Sequence, residues 1–265
     1  MIELKNIGKT FQSKDGEVEA LKDVSIKIND GDIFGIIGMS GAGKSTLVRC
    51  INMLEKPSEG TIEIDGEDVG SMSKPKLREM RRNVTMIFQG FNLLMQRNCL
   101  SNICFPLELA GMKKKEAREQ AAAYFDQFGL TGTEKKYPAQ LSGGMKQRAA
   151  LLRTYLFSGE VALLDEPFSA LDMLTKQSIH EWYLDVMGKI QLSTLFITHD
   201  IDEAILLSDR IYLLTGKPGE ITKEIVIEEQ KPRSKDFSLS ENFLQYKREI
   251  LAHLEGKNVD EKNVL

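Results

Sequence analysis

Apolar and polar positions alternate along Ile2–Ile7 and again along Val24–Ile28, the period-two pattern of strands buried on one face. A polar turn over Ser13–Glu17 is expected between them. Ile33–Ile37 is a short, nearly continuous apolar run, as in a strand buried on both faces. Thr61–Ile64 alternates and ends in the turn signal Asp65-Gly66. Val84–Phe88 reads as a buried strand stopping at Gln89-Gly90. From Ser101 to about Ser158 the strand signals vanish. There Ala117, Ala121, Tyr124, Phe125 and Phe128 recur at helical spacing on one face, which Gly129 closes. Val161–Asp165 and Thr194–Thr198 are again buried strands. A helix between them carries Ile179, Trp182, Tyr183, Val186, Met187 and Ile190 on one face, with Trp182 assigned to the core. Arg210–Leu214 and Glu224–Ile227 close the sheet, and an amphipathic helix is expected from Glu241 to about Leu254. The class is α/β, a mixed sheet with an antiparallel edge and a helical insertion at about 91–158.

One loop organises this pattern. Gly38, Met39, Ser40, Gly41, Ala42, Gly43, Lys44, Ser45 and Thr46 fit G-x-x-x-x-G-K-[ST] between a strand and a helix. Glycines let the backbone curl around an anion, and the helix N-terminus adds partial positive charge. In such a loop the lysine reaches the β- and γ-phosphates and the hydroxyl after it ligates Mg²⁺. A nucleotide-binding protein follows.

Composition narrows the setting without changing that reading. The 265 residues carry a formal charge of −4, which gives no electrostatic case for nucleic-acid binding. No apolar run approaches a membrane span, and no secretory signal opens the chain. Cys50, Cys99 and Cys104 lack metal-ligand spacing and read as packed, reduced thiols. A cytosolic place is expected, either free or peripheral to a membrane.

Further candidates lie downstream. Phe11 reads either as a core aromatic or as a face on which adenine stacks. Ser142-Gly143-Gly144 precedes a helical run, which makes it a plain helix cap or a second anion site. Val161–Asp165 ends in the carboxylates Asp165 and Glu166. In P-loop enzymes the first serves the Mg²⁺ site. Strand alternation turns the second elsewhere, where it can polarise a water. His199 stands at the C-terminal end of a strand, where ligands bind in open α/β sheets. The stretch from Gly90 to Phe105 is too apolar for an ordinary connection, so part of it should be core and part a groove for a partner helix.

The phosphate loop, Gln89, Leu141–Met145, Val161–Pro167, Ser169–Asp172 and His199 occur in that order, and together the chain resembles the ATP-binding subunit of an ABC transporter. The resemblance covers nearly the whole chain and implies the ABC ATPase fold, with a cassette over 1–230 and a tail over 231–265. It implies a head-to-tail dimer holding two ATP molecules, each between one phosphate loop and the other subunit's Ser142-Gly143-Gly144. Phe11 would then stack adenine, and Ser45, Gln89 and Asp165 would hold Mg²⁺ directly or through water. Glu166 would be the general base, His199 the γ-phosphate sensor, and Asp172 would act across the dimer. Glu166–Asp172, His199–Ala204 and Lys231-Pro232-Arg233 look like the nitrate, sulfonate and taurine importers. Ile87–Leu94 and Pro106–Leu109 look more like methionine importers, which usually carry a further C-terminal domain. The implied partners are membrane subunits at the cytoplasmic face and, indirectly, a periplasmic or extracellular solute-binding protein. A soluble ABC ATPase acting on DNA ends or ribosomes, or a small-molecule kinase, remains a reading from another class.

Overall fold

The computed structural model describes residues 1–14, 16–157, 161–190, 192–231 and 233–256. Asp15, Ser158, Pro232 and residues 257–265, all within stretches assigned above, lie outside the described residues, as does the side chain of Ile190. Two compact units emerge, residues 1–72 with 195–265, and residues 73–194.

In the first unit, β1 (Ile2–Ser13) pairs antiparallel with β2 (Gly16–Ile28) in a register running from Ile2↔Ile28 to Ser13↔Gly16. The strands are longer than the alternation suggested, because bulges interrupt it. Asn6 (φ 52°) and Asp23 (φ 49°) sit where the register slips, joined by a hydrogen bond from Asn6 Nδ2 to Asp23 Oδ1 at 2.6 Å. β3 (Ile33–Ile37) is buried at every residue and leads through the glycine-rich loop into α1 (Lys44–Ile51). β4 (Glu59–Ile64) then turns through Asp65 and Gly66, both at positive φ, into β5 (Glu67–Asp68), the mirror-image turn the Asp-Gly signal predicts. The antiparallel sheet is ordered β2-β1-β4-β5.

The second unit holds α2 (Lys74–Asn83), β6 (Val84–Ile87), α3 (Cys99–Leu109), α4 (Lys114–Ala122), α5 (Gly143–Phe157), β7 (Val161–Asp165) and α6 (Met173–Ile190). β6 and β7 run parallel, from Val84↔Val161 to Ile87↔Leu164. β6 is a terminal strand, so only Val84 and Ile87 are fully buried. Ala117, Ala121, Phe125 and Phe128 are buried as their spacing predicts. Regular helix nevertheless ends at Ala122, and the face continues in tighter turns (Tyr124 N to Ala121 O, 3.1 Å; Phe125 N to Ala122 O, 3.3 Å) before Gly129. Trp182 is not in the core. It is half-buried at the margin, edge-on to Phe128 at 5.6 Å and under the Arg148 guanidinium at 4.9 Å.

The chain returns to the first unit through β8 (Ser193–Thr198), α7 (Ile201–Leu207), β9 (Arg210–Thr215), β10 (Glu220–Val226) and α8 (Glu241–Leu254). Here the strand order is β10-β9-β3-β8, with β3 parallel to β9. Phe237, Phe243 and Ile250 bury against Ile205, Leu213 and Ile225, so the segment beyond residue 230 contributes to this unit's core. Arg233 ties it down, its guanidinium donating to the carbonyls of Ile205, Leu206, Ser208 and Glu229 at 2.6–3.2 Å. The three cysteines are free and buried, and burial pushes the Cys50 and Cys104 thiols up to about 11.

Candidate nucleotide-binding site

The glycine-rich loop has the shape it does because two of its glycines leave no room for a side chain. A Cβ on Gly38 would sit 2.1 Å from the Leu214 carbonyl oxygen. One on Gly43 (φ 90°) would meet the Ala20 carbonyl oxygen at 2.7 Å. The loop is therefore pressed between the end of β9 and the start of β2. Gly43 caps α1 without a side-chain hydrogen bond, and no acidic residue occupies the first turn. No carboxylate there opposes an anion, and the helix dipole favours one. Lys44 is 7% exposed, with Nζ donating to the carbonyls of Gly38 (2.7 Å) and Met39 (3.0 Å), so its ammonium is held within the loop. Met39, Ser40 and Gly41 face solvent, whereas Ser45 and Thr46 are half-buried.

Phe11 lies on β1, half-exposed and paired across the hairpin with Val18, so it is not a core residue. His199, exposed, follows β8. Its turn is pinned on both sides. Thr198 donates its hydroxyl proton to the buried carboxylate of Glu203 and accepts from Asp200 N at 3.0 Å, while Asp200 Oδ1 caps α7 through the N–H groups of Asp202 and Glu203.

In the second unit, Asp165 is the buried last residue of β7. Glu166 is not its alternating strand neighbour. It sits at φ 48°, outside the strand, so a left-handed turn and not the pleat sets its direction. Gln89 Nε2 donates to Glu166 Oε2 at 3.2 Å, which leaves the Gln89 carbonyl oxygen for a cation. Ser142 does cap a helix, its Oγ accepting from Met145 N at 3.2 Å, and Gly143 and Gly144 form the first turn of α5. Gly143 lies against Leu171 and Gly144 against Thr175. Asp172 caps α6, accepting from Thr175 N (3.0 Å) and Oγ1 (2.6 Å). The apolar stretch after Gln89 is partly buried and partly exposed. Cys99, Ile103 and Cys104 are buried, whereas Leu94 and Met95 are exposed beside the Asn102 side chain, which bonds Leu94 N at 2.6 Å.

Sequence reasoning passed over the Gly216–Gly219 turn between β9 and β10. Pro218-Gly219 is a local turn signal, but nothing local says that it packs on the phosphate loop. A Cβ on Gly219 would come within 2.0 Å of the Ala42 carbonyl oxygen.

A family model described as ABC transporter matches residues 21–169. The methionine import ATP-binding protein MetN 4 of Oceanobacillus iheyensis is 42% identical over 242 residues, covering 89% of this chain and 70% of that protein. MetN of Vibrio vulnificus is 43% identical over 224 residues, covering 84% of this chain and 64% of that protein. The nitrate import ATP-binding protein NrtD of Synechocystis sp. is 36% identical over 270 residues, covering 100% of this chain and 98% of that protein. Among solved structures, the dimeric bacterial ABC transporter cassette MJ0796 superposes with a TM-score of 0.76 at 32% identity, over 86% of this chain and 99% of that one. The same cassette in a post-hydrolysis state bound to ADP and Pi gives 0.74 at 31% identity, with the same coverage.

Proposed function

The chain belongs to the ABC transporter family, and from that premise we propose that it is the ATP-binding and hydrolysing subunit of a bacterial importer. The observation that carries the hydrolytic part is Glu166, turned out of β7 beside Asp165 and hydrogen-bonded to Gln89. In this reading the loop amides and Lys44 hold the β- and γ-phosphates and Phe11 stacks on adenine. Glu166 accepts a proton from the attacking water as general base, and His199 contacts the γ-phosphate. Ser142, Gly143, Gly144 and Asp172 act on the nucleotide held by a second copy. The Ser45 hydroxyl, the Gln89 amide oxygen and the Asp165 carboxylate are hard oxygen donors suited to Mg²⁺. That ion, when bound, neutralises charge on the phosphates.

Membrane subunits at the cytoplasmic face are the proposed partners, docking on the exposed Leu94–Met95 side of the second unit. An extracellular or periplasmic solute-binding protein acts through them. No described helix is long and apolar enough to cross a membrane. The cargo proposed is a small anion or zwitterion such as nitrate, sulfonate or taurine. Supporting it, the likeness to the nitrate import protein runs through the segment holding Arg233 and α8. The higher identity to the methionine import proteins favours methionine as the second reading.

The direct test is hydrolysis. Glu166→Gln is expected to keep ATP binding and lower turnover about 10²-fold or more. Near wild-type phosphate release by that variant would remove Glu166 as the base. Identification of the membrane subunits that co-purify with the chain decides between nitrate-type and methionine-type cargo.

A further inference from the structure

Lys217 lies over the phosphate loop. Its Nζ and Cε are each 3.3 Å from where a Cβ on Gly41 would stand, so the ammonium rests against a backbone that is itself exposed. The position is built. Gly216 at φ 84° starts the turn, and Gly219 fits against Ala42 only because it has no side chain. Two backbone bonds with β2, Gly219 N to Ala20 O and Lys22 N to Gly219 O, both 3.0 Å, hold the turn in place. Among the described residues Lys217 forms no hydrogen bond or ion pair, unlike Lys44, whose ammonium is bonded to Gly38 and Met39.

An unpaired cation beside a glycine-rich loop of this kind is placed to attract an anion held there. We propose that Lys217 is a second phosphate-binding cation of the nucleotide site, reaching the phosphate chain from the solvent side while Lys44 holds it from within. The proposal rests on the reading that this loop holds nucleotide phosphates. Its contribution grows with ligand charge, so it favours the triphosphate over the diphosphate. An exposed ammonium is screened, which sets a modest magnitude and a marked salt dependence.

The test is nucleotide binding to the full chain, using AMP-PNP and ADP with Mg²⁺ at low and high salt. Lys217→Met is expected to weaken AMP-PNP binding about 3- to 10-fold, Lys217→Glu more, and Lys217→Arg less than about twofold. ADP should lose less than AMP-PNP, and the differences should shrink at high salt. The side chain is exposed, so thermal unfolding of all three variants should match the wild type. Lys44→Ala separates the proposal from the reading beneath it. If Lys44→Ala loses binding while Lys217→Met and Lys217→Glu stay within twofold of the wild type, Lys217 takes no part. If Lys44→Ala binds as the wild type does, the loop is not the phosphate site and both readings fall.

Discussion

Phe11 sits half-exposed on β1, with the Lys9 ammonium 4.7 Å from its ring centroid. An aromatic stacked on a base is worth about 1–3 kcal/mol, so Phe11→Ala should weaken ATP binding by that amount and Phe11→Tyr should leave it nearly unchanged. Titration with a fluorescent ATP analogue measures it, and equal binding by the Ala variant would leave Phe11 without a role at the base. Pattern alone left Phe11 between core and surface because the bulge at Asn6 and Asp23 breaks the alternation before it reaches residue 11. Glu166 shows the same limit. Two adjacent carboxylates at a strand end were legible, but the reason they diverge is a left-handed φ at Glu166, and a non-glycine at positive φ carries no local signal. Residues defined by a motif, Gly38 to Thr46 above all, were legible because steric and electrostatic demands on the loop are local in the chain.

At the scale of elements, α8 was expected from Glu241 to about Leu254 and spans Glu241–Leu254, since an amphipathic face is written in its own sequence. What anchors it was not legible. Arg233 bonds the carbonyls of Ile205, Leu206 and Ser208, up to 28 residues away, and burial lowers its pKa without removing its charge. Arg233→Met keeps the bulk against Phe237 but leaves those carbonyls without their donor. A loss of about 2–4 kcal/mol is expected in urea unfolding. Arg233→Lys should recover only part, because a point ammonium cannot span the fork's carbonyls. A midpoint unchanged from wild type in the Met variant would show that water satisfies them equally well. The turns after α4 were missed for another reason. The face Ala117–Phe128 stays apolar through the switch to tighter winding, so the burial pattern is preserved while the helix is not.

For the whole molecule, Ser142 to Gly144 and the phosphate loop are each half of a ligand shell in the proposed reading, and two copies are needed to complete it. Glu166→Gln should therefore shift from monomer to dimer when ATP is added, as read by light scattering. Ser142→Arg should block the shift, with helix content by circular dichroism showing that α5 survives the loss of its cap. A dimer equally populated without nucleotide would count against ATP as the glue. The cysteines bear on how such an association is watched. Cys50, Cys99 and Cys104 are the only thiols in the chain, all three are buried, and burial raises each of their pKa values. Thiolate, the species a maleimide attacks, is thus scarce and shielded at neutral pH. A single cysteine introduced at an exposed site such as Leu239, 81% accessible, becomes the one handle a dye finds. One fluorophore per chain can then be attached to the native sequence background, and energy transfer between two labelled copies can follow their meeting at nanomolar concentration.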